Sequence, residues 1–342
     1  MALLRPKLEF YRFSLNHKDE ESKTFFDFAK EELARKKQIT RVEALDLLFR
    51  NFMRNLSGQY AKNQSQKKEI KLVNTKINKY LDYKPKKGSN DDIIYGVING
   101  GPFNRDGIIS NVNDAEDISS LGRNKSILRY YYFLLYLPLD HSEGCFIIQS
   151  HSKEETITSM FKNYIGNIFK GNNYNKAITV VYSPKSFQEE FKNNAVLGSF
   201  TFKTSILDRK HTETGVKDFF AEYDIKIEAV PKNKDVPVAL GEKIRNILAR
   251  KIYGDKQNSE ELNEFDESSV SVRNVVNNST RTFEWSNKDS EFVPVVYLED
   301  RIRGKNEDGT LAFDELEIFC YTIFKDEILP EIRPDLYAKK VK

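Results

Sequence analysis

Cysteine is nearly absent from this 342-residue chain, which holds only Cys145 and Cys320. Both sit inside apolar patterns and read as buried, reduced thiols, so a disulfide-stapled secreted scaffold is excluded. Long apolar runs are missing too. The longest, Tyr130 to Leu139, spans about ten residues, where a membrane-crossing helix needs ~20. The N-terminal MALLRPKLEF reaches charge by Arg5 and lacks an apolar signal core or a small-residue cleavage site. These absences lead to the expectation of a cytoplasmic protein without membrane association.

Catalytic signatures are equally scarce. The chain contains no Walker loop, GxGxxG, HExxH, CxxC or GxSxG pattern. The string Gly96-Val-Ile-Asn-Gly100-Gly101 has the wrong spacing for a dinucleotide loop and reads as a turn. With four histidines in all, an imidazole-rich metal centre has little material. His141 and His151 could join Asp140 and Glu143 in a metal or acid–base cluster only if the intervening turn brought them together; the alternative is a polar turn. No cofactor and no catalytic or metal-ligating set is therefore expected, and an enzyme is less expected than a binding protein.

What the chain does have is a β-rich core. Ile127 to His151 (ILRYYYFLLYLPLDHSEGCFIIQSH) sets two apolar runs around the polar turn Pro138 to Gly144, the pattern of a buried hairpin. Further strands are expected at Lys7–Leu15, Glu69–Val73, Ile93–Ile98, Gly107–Val112, Ala177–Tyr182 and Val196–Ile206. In Val42–Leu56 the residues Leu45, Leu48, Phe49, Phe52 and Leu56 share one helical face. Ser152 and Glu155 suit a capping box for a helix ending at Gly171, with Ile157, Met160, Phe161, Tyr164, Ile165 and Ile168 inward. A short helix is expected at Pro184–Asn193.

Beyond Asp208 the composition turns polar and acidic. Expected there are a turn-like stretch at Asp208–Val216, strands at Tyr223–Val230, Val270–Val276 and Thr280–Trp285, and a helix at Val238–Tyr253. Asp255–Ser269 reads as an acidic loop. A closing helix at Phe313–Ile328 carries Phe313, Leu316, Phe319, Cys320, Ile323 and Phe324 on one face. The expected class is α+β: a mixed or antiparallel sheet domain over 1–207, and a smaller acidic α+β region over 208–342.

Charge is unevenly spread. Nine lysines (Lys62, Lys67, Lys68, Lys71, Lys76, Lys79, Lys84, Lys86, Lys87) face two acids between Lys62 and Lys87, for a net +7. Asp255–Glu317 has sixteen acids against seven bases, for a net −9. Lysines along a sheet edge would contact phosphates, and Tyr80, Tyr83 and Tyr95 among them could stack on bases. The alternative is that the lysines solubilise an edge while the tyrosines pack beneath it. The acidic stretch could shield the basic one until nucleic acid competes.

The expected function is thus binding of DNA or RNA, as a subunit of a bacterial nucleic-acid-directed system such as phage defence. One alternative is a metal-dependent nuclease, for which Asp224 and Glu228 on one strand face, or Glu69 with Lys71, are the carboxylates to consider. The other is a protein–protein scaffold or homo-oligomer using the aromatic C-terminal helix.

Overall fold

In a computed structural model, the residues described are 6–34, 38–56, 61–65, 67–73, 80–88, 91–103, 108–111, 114–120, 125–151, 156–193, 195–210, 219–233, 267–274, 280–284, 296–299, 301–306 and 309–337. The protein is of the α+β class. Its contacts form two compact units, Met1–Pro184 with Val295–Lys342, and Lys185–Pro294.

The first unit runs β1 (Lys7–His17), α1 (Phe25–Phe28), α2 (Arg41–Asn55), β2 (Lys62–Asn63), β3 (Lys68–Leu72), β4 (Lys86–Gly88) and β5 (Ile93–Pro102). The hairpin β6 (Ile108–Asn111) and β7 (Asp114–Ser120) follows, then β8 (Arg129–Tyr136), β9 (Glu143–Ser150), α3 (Thr158–Ile168) and β10 (Tyr174–Tyr182). The second unit holds α4 (Lys185–Asn193) and the antiparallel sheet β12-β11-β13-β14, made of β11 (Ala195–Lys210), β12 (Phe219–Ala229), β13 (Glu267–Asn274) and β14 (Thr280–Glu284). The chain then returns to the first unit with β15 (Val296–Tyr297) and α5 (Phe313–Ile323), which continues as a π-helical turn over Phe324–Ile328. Residue 207, where the sequence suggests a boundary, falls inside β11, and Asp208–Lys210 are strand rather than turn.

The large sheet is antiparallel with order β10-β1-β9-β8-β5-β3-β2; β15 also pairs with β1, and β4 with β5. The 127–151 hairpin forms as expected, with Phe133 opposite Ile148 and Tyr136 opposite Cys145. Its strands are continuously apolar rather than alternating because both faces are covered. Phe133 stacks on Phe52 of α2, and Phe146 meets Phe161 of α3 edge-on. On the other face Tyr136 packs against Phe324.

Local chemistry starts α2 where it begins. The Thr40 hydroxyl accepts from the Glu43 N–H at 3.2 Å, and the Glu43 carboxylate accepts from the Thr40 N–H at 2.8 Å. Leu45, Leu48, Phe52 and Leu56 are buried, as their spacing requires. In α3 the six residues expected inward are all buried, but the helix starts later than expected, at Thr158 after Ile157. Ser152 and Glu155 lie outside the described residues. So do Val238–Tyr253, 211–218 and 255–266, while Glu267–Ser269 belongs to β13.

The turn expected at Gly100-Gly101 is instead strand: Gly100 pairs with Ile70 and Gly101 with Glu69. A Cβ at Gly101 would collide with the carbonyl oxygen of Ile127, so glycine here permits close backbone approach rather than chain reversal.

Candidate nucleic-acid interface

β3 and β4 pair with the same edge of β5, β3 along Ile98–Pro102 and β4 along Ile93–Tyr95. Together with β2 they bring Lys62, Lys67, Lys68, Lys71, Lys84, Lys86 and Lys87 to one end of the large sheet. Lys76 and Lys79 lie outside the described residues.

Strand alternation then divides the lysines between two faces. Lys68 and Lys87 turn toward the α2–α3 side, where Lys68 Nζ donates to the Thr156 carbonyl at 2.7 Å and Lys87 pairs with Asp46. Lys62, Lys71 and Lys86 turn the other way. Lys71 Nζ is 2.7 Å and Lys62 Nζ 3.9 Å from the Glu69 carboxylate, and Lys86 Nζ is 3.3 Å from Glu317 on α5. Lys67 and Lys84 are exposed and make no ion pair among the described residues. Glu317 belongs to the acidic C-terminal stretch, so one of its carboxylates does meet the basic segment.

Glu69 is buried beneath this edge. Burial opposes its ionisation, but hydrogen bonds from Lys71 and from Ser126 Oγ at 2.5 Å, with the charges of Lys71 and Lys62, outweigh it and hold the carboxyl below its ordinary pKa. It remains an anion that fixes two lysine side chains.

The tyrosines behave differently from one another. Tyr80 is only 6% exposed and meets Tyr130 and Phe313 edge-on, at 4.8 and 5.0 Å between centroids. It therefore anchors α5, and a base could stack on it only if that cluster opened. Tyr83 is partly covered by Phe313 at 5.6 Å. Tyr95 is half-buried beside Lys86, whose ammonium lies 4.9 Å from the ring centroid.

Other candidate residues do not assemble. His141 and His151 flank the eight-residue β9 at opposite ends, roughly 25 Å apart at ~3.3 Å per residue. His141 Nδ1 accepts from the Glu143 N–H at 3.0 Å, His151 packs on Tyr131, and Asp140 is held by Arg333. Asp224 and Glu228 both lie on β12, opposite Ser205 and Thr201, and exposed Glu228 pairs with Lys226 at 3.1 Å. Among the described residues no group of three or more His, Cys, Asp or Glu side chains could hold a metal ion. Cys145 and Cys320 are free and buried, and burial pushes the Cys145 thiol up to about 12.

The residues that sequence reasoning missed here are the lysines' partners. Asp46 and Glu317 come from two different helices and Thr156 from the segment leading into α3, and no local pattern announces them. Among the described residues no helix is long and apolar enough to cross a membrane. No protein-family model, curated protein or solved structure matches the chain.

Proposed function

We propose that this protein binds nucleic acid along the β2–β3–β4 edge of its large sheet, through the phosphates. The observation that supports this reading is the gathering of seven lysines, from Lys62 to Lys87, on one sheet end. Pairing of Lys87 with Asp46 and of Lys86 with Glu317 does not block phosphate contact, while Lys71 is the lysine most firmly held, 2.7 Å from buried Glu69. Exposed ion pairs contribute only ~0–1 kcal/mol, whereas a polyanion gains from counterion release at every phosphate neutralised. An intracellular ligand of this kind also suits two free thiols.

The test is binding of labelled single- and double-stranded DNA and RNA across a salt series. It compares the native chain with Lys62, Lys67, Lys84 and Lys86 all changed to Glu. Lys68 is left intact because it ties β3 to Thr156. Affinity should fall steeply with salt. On duplex DNA the variant's log–log slope should be shallower by ~0.9 for every phosphate it no longer neutralises. Absence of binding at low salt, or an unaltered slope in the variant, defeats the reading.

Protein docking is a second reading, favoured by β10. This strand pairs with β1 on one side and exposes Ile178 (57%), Val180 (60%) and Val181 (42%). A stable, salt-insensitive oligomer broken by Val180→Lys would support it; a monomer at all concentrations would not.

A further inference from the structure

A cavity of about 370 Å³ lies between the β4–β5 side of the sheet and α5, lined chiefly by Asp91, Tyr95, Tyr132, Glu317 and Tyr321. Tyr132 is completely buried, and its hydroxyl has no hydrogen-bond partner among the described residues. A buried polar group left unsatisfied in this way calls for an explanation. Here the group is a neutral hydroxyl on a residue that lines the cavity, closed off from solvent and able to accept or donate one hydrogen bond.

The rest of the wall selects by charge. Among the described residues two carboxylates line it and no cationic side chain does. Its rings already receive ammonium groups from the rim: Lys86 Nζ lies 4.9 Å from the Tyr95 centroid, and Lys325 Nζ 5.6 Å from that of Tyr321. The same lysines pair with the wall's acids, Lys86 with Glu317 at 3.3 Å and Lys325 with Asp91. Tyr321 also donates its hydroxyl proton to Asp91 at 2.6 Å. Tyrosine faces together with carboxylates favour a cation and oppose an anion. The two lysines act as tethered occupants that a free amine could replace, one ammonium for another.

We propose that this cavity binds a primary alkylamine of the diamine class. Its entry displaces the Lys86 and Lys325 ammonium groups and opens the wall to the Tyr132 hydroxyl, to which its ammonium donates. Its methylenes lie against the rings of Tyr95 and Tyr321, and the released Glu317 and Asp91 balance its charge. A quaternary ammonium has no N–H for Tyr132, and a neutral alcohol of the same length has no charge for the acids, so both should bind more weakly. The proposal does not rest on nucleic-acid binding, although Lys86 borders both sites.

The experiment is calorimetric titration of the full chain with putrescine, with tetramethylammonium, 1-butanol and magnesium as comparators. Saturable 1:1 binding of putrescine is expected. It should weaken about tenfold in Tyr132→Phe, the loss of one hydrogen bond to a charged group, weaken further in Glu317→Gln, and tighten in Lys86→Ala as the tethered competitor is removed. Tyr132→Phe keeps the ring and should melt at or above the native temperature. No saturation at concentrations on the order of 10 mM, far above a useful affinity, would overturn the proposal. So would equal affinity in Tyr132→Phe and Glu317→Gln, displacement by magnesium as effective as by amine, or a Tyr132→Phe chain too unstable to fold.

Discussion

Arg333 shows how much of this structure depends on single side chains. It is 4% exposed, yet its guanidinium donates to Asp140 at 3.0 and 2.9 Å and to Asp335 at 2.9 and 2.7 Å. It thereby ties the C-terminal segment to the turn between β8 and β9. Both carboxylates are about half exposed, so deleting the arginine leaves them solvated rather than stranded. Arg333→Met should therefore cost about 2–3 kcal/mol, below the ~3–5 of a fully buried broken pair, as measured by urea unfolding. The guanidinium's hydrogen bonds hold Asp140 and Asp335 below the ordinary carboxylate range. A depressed carboxylate contributes stability above its unfolded pKa, near ~3.9, and loses it as pH falls through the folded value. The native protein should accordingly lose stability below about pH 4, and Arg333→Met should lose less there; superimposable acid profiles would contradict this.

At the scale of elements, β5 is the strand on which sequence reading and structure part company. Its glycines read as punctuation, yet Gly96 and Gly101 serve close approach. At Gly96, with φ +142°, a Cβ would lie 2.7 Å from the Tyr83 carbonyl oxygen. Gly101→Ala should destabilise by about 3 kcal/mol, the upper end for overpacking, because the clash is with backbone at Ile127 rather than with a flexible side chain; a thermal midpoint within a degree or two of native would refute that. The hairpin and helices α2, α3 and α5 were legible because their burial depends on local periodicity alone. Tyr80 was not: its neighbour Phe313 is more than two hundred residues away in sequence, so a tyrosine among lysines gave no local sign of facing inward. Tyr80→Ala should cost about 3–5 kcal/mol, as aromatic core truncations do, while Tyr80→Phe should cost little. Loss of nucleic-acid binding in Tyr80→Phe at native stability would instead mark a contact with ligand.

The whole molecule is one unit interrupted by another. β10 and β15 pair with the same edge of β1, Tyr182 opposite Phe10 and Val296 opposite Leu8. The chain thus leaves and re-enters the first unit about two residues apart along β1, roughly 7 Å. β15 continues the line of β10, and the Leu298 N–H secures the return by donating to the Pro6 carbonyl at 2.9 Å. Replacing 185–294 with a Gly/Ser linker of about six residues, ample for that gap, should leave a folded first unit with cooperative unfolding. A chain that stays soluble but shows no near-ultraviolet circular dichroism and no thermal transition would show that the inserted segment is required for folding.

The sequence by itself determined the α+β class, the buried hairpin, the inward faces of the main helices and the clustering of lysines in one segment. Each follows from residues close along the chain, where periodicity and local charge suffice. Only the tertiary structure decided that the lysine edge is already paired with acids from distant helices. The return of the C-terminal helix to the first sheet, and the acid-lined tyrosine cavity beneath it, were decided there too. Those features arise from contacts between residues far apart along the chain, Lys87 with Asp46 across 41 positions and the C-terminal helix with the first sheet across far more, which no local pattern encodes.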